Sequence, residues 1–145
     1  MAEDRMEINA RWTGALGFEA KNPQGASIRM DSLGEGAAPS PMQLVLMALA
    51  GCTGMDVVSI LEKKRQPAES IEIHARGTRA EDHPRGFTDI ELEYVLSGAQ
   101  LTAEAVARAI ELSINKYCSV GGMLAKAATL RTSFRIVSGE KSPNE

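Results

Sequence analysis

Cysteine and aromatic residues are scarce in this chain, and each shortage removes a class of protein. Two cysteines are too few for a small secreted scaffold held by disulfides, so the count points to a reducing compartment, the cytoplasm. They stand 66 positions apart with no Cys-x-x-Cys, which is not a zinc ribbon. His74 and His83 would complete a two-cysteine, two-histidine set, but the spacing matches no metal module, and no metal is expected. Aromatic content of 4% leaves little to stack on bases, and 16 basic residues against 19 acidic form no Lys/Arg run. No nucleic-acid partner is expected. The N-terminal MAEDRMEINARW is charged and lacks the apolar stretch of a leader.

Hydrophobic residues make up 43% of the 145, enough to build one core, so a single domain over 1–145 is expected, with a polar tail over 138–145 that frays. The most apolar stretch, residues 44–61, carries Gly51, Cys52, Thr53, Gly54, Asp56 and Ser59. Polar residues in its middle fit a buried core helix better than a membrane span, and no membrane partner is expected.

Period-two alternation opens the chain. Ile8, Ala10 and Trp12 alternate with polar neighbours, and Leu16 and Phe18 resume the pattern after Thr13-Gly14, which predicts a hairpin. Ile28 and Met30 predict a third strand after the Asn22-Pro23 turn, and Gly34, Gly36 and Pro39 predict a loop over 31–39. Ser40-Pro41-Met42-Gln43 then reads as a capping box: Ser as N-cap, Pro at the first helical position, Gln three residues after the cap. The helix should run from about residue 41 to about residue 64, with Lys63, Lys64 and Arg65 against its C-terminal dipole and Pro67 ending it.

Residues 70–80 and 87–96 alternate again, through Ile71, Ile73 and Ala75, then Ile90, Leu92, Tyr94 and Leu96, with a hairpin loop over 81–86. Thr102 caps a second helix expected to reach about Tyr117, on which Val106, Ile110, Ile114 and Cys118 share one face. Gly121-Gly122 breaks the chain, a short helical turn follows, and residues 132–137 form a last strand. The order βββ-α-ββ-α-β, with short turns, implies an α+β fold on an antiparallel sheet with helices on one face. The long helix is apolar almost all round its first half, too apolar for one face of a small sheet. A second subunit covering its other side would solve this, so a homodimer is expected.

Cys52 lies in Ala48-Leu49-Ala50-Gly51-Cys52-Thr53-Gly54. By itself it reads most simply as a small core hydrophobe, a common fate for a free cysteine. Cys118 reads the same way. The pair says more: two cysteines on apolar helix faces could meet in the core, and a dithiol that meets suits a cycle of sulfenic acid and disulfide. Activation is the difficulty. Burial raises a thiol pKa, Cys52 is too far into its helix for the N-terminal dipole, and Asp56 one turn later opposes ionisation if it faces Cys52. A cation is required, and Arg29 is the candidate; otherwise it is an ordinary exposed strand charge.

Residues 41–58, PMQLVLMALAGCTGMDVV, with 113–120, SINKYCSV, resemble the OsmC/Ohr superfamily, most nearly its YhfA-like branch, over about residues 7–137. The resemblance implies an OsmC-like α+β fold in an intertwined homodimer with active sites at the subunit interface. It implies reduction of organic hydroperoxides, with Cys52 as the first cysteine and Cys118 as the second, recycled by an external thiol, and no cofactor beyond sulfur. It also implies an Arg and a Glu around the first cysteine. Arg29 matches the Arg if the following loop is longer here. The Glu position, ten residues before the cysteine, is Met42; Gln43 beside it carries no charge and lies roughly 100° away around the helix. That departure keeps a second reading open, a dimer binding an apolar or thiol-reactive small molecule at its interface.

Overall fold

The computed structural model describes residues 4–32 and 38–138. The loop expected over 31–39 lies outside them at 33–37, and the tail expected to fray lies outside them at 139–145. Two compact units share the chain, Met1–Val45 and Leu46–Glu145.

The first unit carries a three-stranded antiparallel meander of β1 (Asn9–Gly14), β2 (Gly17–Lys21) and β3 (Ser27–Met30). The turn after β1 needs positive φ at Gly14 and Ala15, and Gly14 supplies it without a side-chain clash. The second turn is held by Asn22, whose Oδ1 accepts the Ala26 N–H at 2.9 Å. Pairing of Trp12 with Phe18 and of Phe18 with Met30 places Ala10, Trp12, Phe18, Ala20, Ile28 and Met30 on one face. The opposite face carries Arg11, Glu19 and Arg29 in one cross-strand row.

α1 (Pro41–Lys63) begins at the capping box the sequence predicts. Gln43 Oε1 accepts the Ser40 N–H at 2.9 Å, and Ser40 Oγ accepts the Gln43 N–H at 3.1 Å. Its fully buried residues are Leu49, Thr53, Val57 and Leu61, a stripe of period four. Within one chain only this stripe is fully buried, while Met47, Met55 and Val58 are exposed, the side for which a second subunit is expected.

The second unit's sheet has the order β4 (Ser70–Arg79), β5 (Phe87–Ser97), β6 (Thr129–Val137). Ile90, Leu92, Tyr94 and Leu96 of the central strand are fully buried, and with the α1 stripe they form the core. Asp89, Glu91 and Glu93 alternate onto the other face, where Asp89 and Glu91 pair with Arg131, and Glu93 with Arg76 and Arg135. The single antiparallel sheet expected is corrected to two three-stranded sheets, the second of them mixed. β4 and β5 form the expected hairpin, but β6 runs parallel to β5. The physical reason is the long helical connection between them, which is what a parallel crossover requires.

That connection holds a further difference. Thr102 caps α2 (Ala103–Leu112), its Oγ1 accepting the Ala105 N–H at 3.2 Å. The helix does not continue as α to Tyr117: residues Ser113–Tyr117 form a π-helical turn, closed by the Cys118 N–H on the Ser113 carbonyl at 2.7 Å. The chain then turns at Cys118, not at Gly121-Gly122, and both glycines lie inside α3 (Ser119–Leu124).

Candidate active site

Cys52 and Cys118 come together within the second unit. Cys52 is half-buried on α1; Cys118 is 3% exposed at the N-cap of α3. The Cys52 side chain is close enough to act on the Cys118 thiol. The backbone at Cys118 is extended (φ −74°, ψ 104°), so its side chain folds back over the start of α3, where Sγ accepts the Gly121 N–H at 3.3 Å. A Cβ at Gly121 would stand 3.2 Å from that sulfur and 3.6 Å from Leu49, so a side chain there would push the sulfur a few tenths of an ångström aside.

The two sulfurs are not equivalent. Burial pushes the Cys118 thiol up to about 11; the Gly121 N–H pulls the other way. The hydrogen bond with Cys52, the Cys52 charge and the Asp56 charge add smaller upward pushes. Cys118 therefore keeps its proton, and Cys52 is the sulfur with access to solvent.

Beside the pair lies a buried row of hydroxyls. Ser113 Oγ donates to Asp56 Oδ2 at 2.9 Å. Thr53 Oγ1 lies 2.7 Å from Ser113 Oγ and 2.8 Å from the Tyr94 hydroxyl. Each hydroxyl has one proton. With the Ser113 proton committed to the carboxylate, Thr53 donates to Ser113 and Tyr94 donates to Thr53. Burial pushes the Tyr94 phenol up to about 12, against the hydrogen bond that Thr53 offers the phenolate. No buried side-chain polar atom among the described residues lacks a partner.

Sequence reasoning singled out Cys52 and Cys118, and the structure places them near each other. Arg29 lies exposed on the charged face of the first unit's sheet, in register with Glu19. Met42 is half-buried in the first turn of α1. Gln43 is committed to the cap through its Oε1, so its side chain is not free to replace the family Glu. His74 pairs with Glu72 on β4, and His83 sits in the β4–β5 loop. Among the described residues no group of three or more His, Cys, Asp or Glu is placed to hold a metal. Thr53, Tyr94, Ser113 and Gly121 were missed. The one sequence signal was Thr53, a polar residue in step with Leu49, Val57 and Leu61.

Both raised pKa values bear on stability at high pH. A thiol ionising at 9.0 when unfolded and about 11 when folded loses its proton first in the unfolded chain. Its stabilisation is complete below pH 9.0 and lost as pH rises through about 11; for Tyr94 the window is 10.0 to about 12. Thermal unfolding of reduced protein should show a melting temperature falling across these windows, and Cys118→Ala should flatten the first part of the fall. Equal slopes in the two proteins would contradict the assignment to Cys118.

The fold has counterparts among known proteins. The family model described as OsmC-like protein matches residues 34–133. Protein YhfA of Escherichia coli K12 is 43% identical over 133 residues, covering 92% of this chain and 99% of that one. A crystal structure of a hypothetical protein from Aquifex aeolicus is 32% identical, with a TM-score of 0.86 over 95% of this chain and all of that one. The organic hydroperoxide resistance protein OhrB of Bacillus subtilis shares the fold at 15% identity, with a TM-score of 0.63 over 90% of this chain and 98% of that one. The chain belongs to the OsmC-like protein family.

Proposed function

We propose that this protein is a thiol peroxidase that reduces organic hydroperoxides through Cys52 and Cys118 in defence against oxidative stress. The observation that carries the reading is the approach of two cysteine side chains in unequal surroundings, one half-buried and one buried. The name of the Bacillus subtilis protein of the same fold is consistent with it.

The chemistry divides between the sulfurs. The Cys52 thiolate attacks the terminal peroxide oxygen, the O–O bond breaks, and the departing alkoxide takes the hydroperoxide proton to leave as alcohol. Cys52 is left as sulfenate, which takes up a proton to become the sulfenic acid. Cys118 then attacks the Cys52 sulfur. An S–S bond forms, the S–O bond breaks, and the Cys118 proton goes to the departing hydroxide to give water. The proton must leave Cys118 as the S–S bond forms, and the departing hydroxide is its acceptor. An external thiol, oxidised to its own disulfide, returns both cysteines to thiols. The family resemblance assigns Arg29 to holding Cys52 as thiolate.

A homodimer belongs to the same proposal. Trp12, Ile28 and Phe18 on the first unit, and Met47, Met55, Val58 and Met123 on the second, are large apolar side chains left exposed by one chain. Contiguous exposed apolar surface is usually covered by a partner. Light scattering of the purified protein should give twice the chain mass; a monomer at micromolar concentration would contradict it. The cysteine count supports a reducing compartment, the cytoplasm, as the place of action.

One observation favours a second reading, a dimer that binds an apolar or thiol-reactive small molecule without turnover: Met42 stands at the family Glu position, and Gln43 is occupied by the cap. Activity separates the two. With cumene hydroperoxide and dithiothreitol, Cys52→Ser should fall to the uncatalysed background. Without reductant, Cys118→Ser should consume one equivalent and stop at the sulfenic acid, and Arg29→Met should slow the first step alone. Steady-state turnover by Cys52→Ser, or none by the unmodified protein, would overturn the peroxidase reading.

A further inference from the structure

The buried hydroxyl row invites a question of cost. Val at position 53, Phe at 94 and Ala at 113 would fill nearly the same space with no polar atoms to satisfy. A satisfied buried hydrogen bond adds only about 0.5–1.5 kcal/mol net, and replacing both partners by apolar groups can be neutral. The row is therefore poorly explained as a source of stability. What hydrogen bonds supply that apolar contacts do not is a fixed register between the elements they join.

The register fixed here is that of the two sulfurs. Ser113 is fully buried and makes contacts in two directions. Its side chain grips α1 just after Cys52, at Thr53 (2.7 Å) and at Asp56 (2.9 Å). Its carbonyl accepts the Cys118 N–H at 2.7 Å. An uninterrupted α-helix would give that N–H to the carbonyl of Ile114 instead. The wider π turn lets the chain leave the helix at Cys118 with extended backbone and fold its sulfur toward Gly121 and Cys52. Two hydrogen bonds of 2.7 Å thus connect Thr53, the neighbour of Cys52, to Cys118 through a single residue.

We propose that Ser113 is a positioning residue for disulfide formation, holding Cys118 on the Cys52 sulfur through its side-chain bonds to Thr53 and Asp56 and its carbonyl bond to Cys118. This rests on the reading of the two cysteines as a redox pair, but not on the nature of the oxidant. Without the Ser113 hydroxyl, α1 and the π turn lose their direct link and the sulfur of Cys118 is free to drift. A misplacement of about 1 Å can cost on the order of 100-fold in a positioned reaction.

Two measurements on the full-length protein test this. The first is equilibrium with reduced and oxidised glutathione, in which two protein thiols are oxidised to one disulfide as one glutathione disulfide is reduced to two thiols. Ser113→Ala and Thr53→Val should each lower the equilibrium constant at least tenfold, while Thr53→Ser, which keeps the hydroxyl, returns it toward the unmodified value. Loss of stability common to the reduced and oxidised forms does not move this constant. The second is rapid mixing with cumene hydroperoxide, in which the sulfenic acid step should keep its rate and the disulfide step should slow.

If Ser113→Ala does not fold, the Thr53 pair decides. Folded variants with an unchanged glutathione equilibrium would overturn the positioning role even if the protein is a peroxidase. A shifted equilibrium in a protein that ignores hydroperoxide would leave the positioning role standing and remove the peroxidase reading.

Discussion

Holding α1 against β5 is the constraint on which the site depends. Leu49, Val57 and Leu61 supply the force: fully burying one such side chain is worth about 1.5–3 kcal/mol, and all three are sealed against a core that includes Ile90, Leu92 and Leu96. Thr53 occupies the same stripe and contributes differently. Its hydroxyl meets Tyr94 on β5 and Ser113 on the π turn, so the contact that apolar packing makes strong becomes specific in register. Cys52 is one residue away. Any slip of α1 along β5 would leave three buried hydroxyls without partners, and each unsatisfied group costs about 1–3 kcal/mol.

The same packing makes two chemically identical side chains different. Cys118 lies in the core beside Leu49, on a helix start built around a glycine, and burial holds its proton. Cys52, on a half-buried turn of α1, remains accessible. A redox pair needs this inequality: one sulfur that meets the oxidant, one that waits with a proton to give. It arises chiefly from burial, which outweighs the smaller push of the Asp56 charge on Cys118.

The elements legible in the sequence were those governed by local chemistry. The capping box at Ser40, the Thr102 cap, the alternation of β4 and β5 and the turn at Asn22 all follow from residues within a few positions of one another, and the structure holds them as read. The parallel strand β6 was not legible, because its partner is set by a crossover and not by its own alternation. Nor was the π turn: Val106, Ile110, Ile114 and Cys118 keep a spacing of four that reads as one uninterrupted helix. The interruption is tied to a serine bonded to residues 57 and 60 positions away. At the site, the cysteines could be found by type and by resemblance, but the hydroxyls that hold them could not. Ser, Thr and Tyr are common residues whose meaning here lies entirely in which others they touch.

The central claim is that Cys52 and Cys118 form a working pair, and mass reports it directly. Fully reduced protein is mixed with one equivalent of an alkyl hydroperoxide and its intact mass is read without reductant. The account predicts loss of two hydrogens within seconds to minutes, from an intramolecular Cys52–Cys118 disulfide, with no such loss in Cys52→Ser. An unchanged mass in the unmodified protein would contradict it.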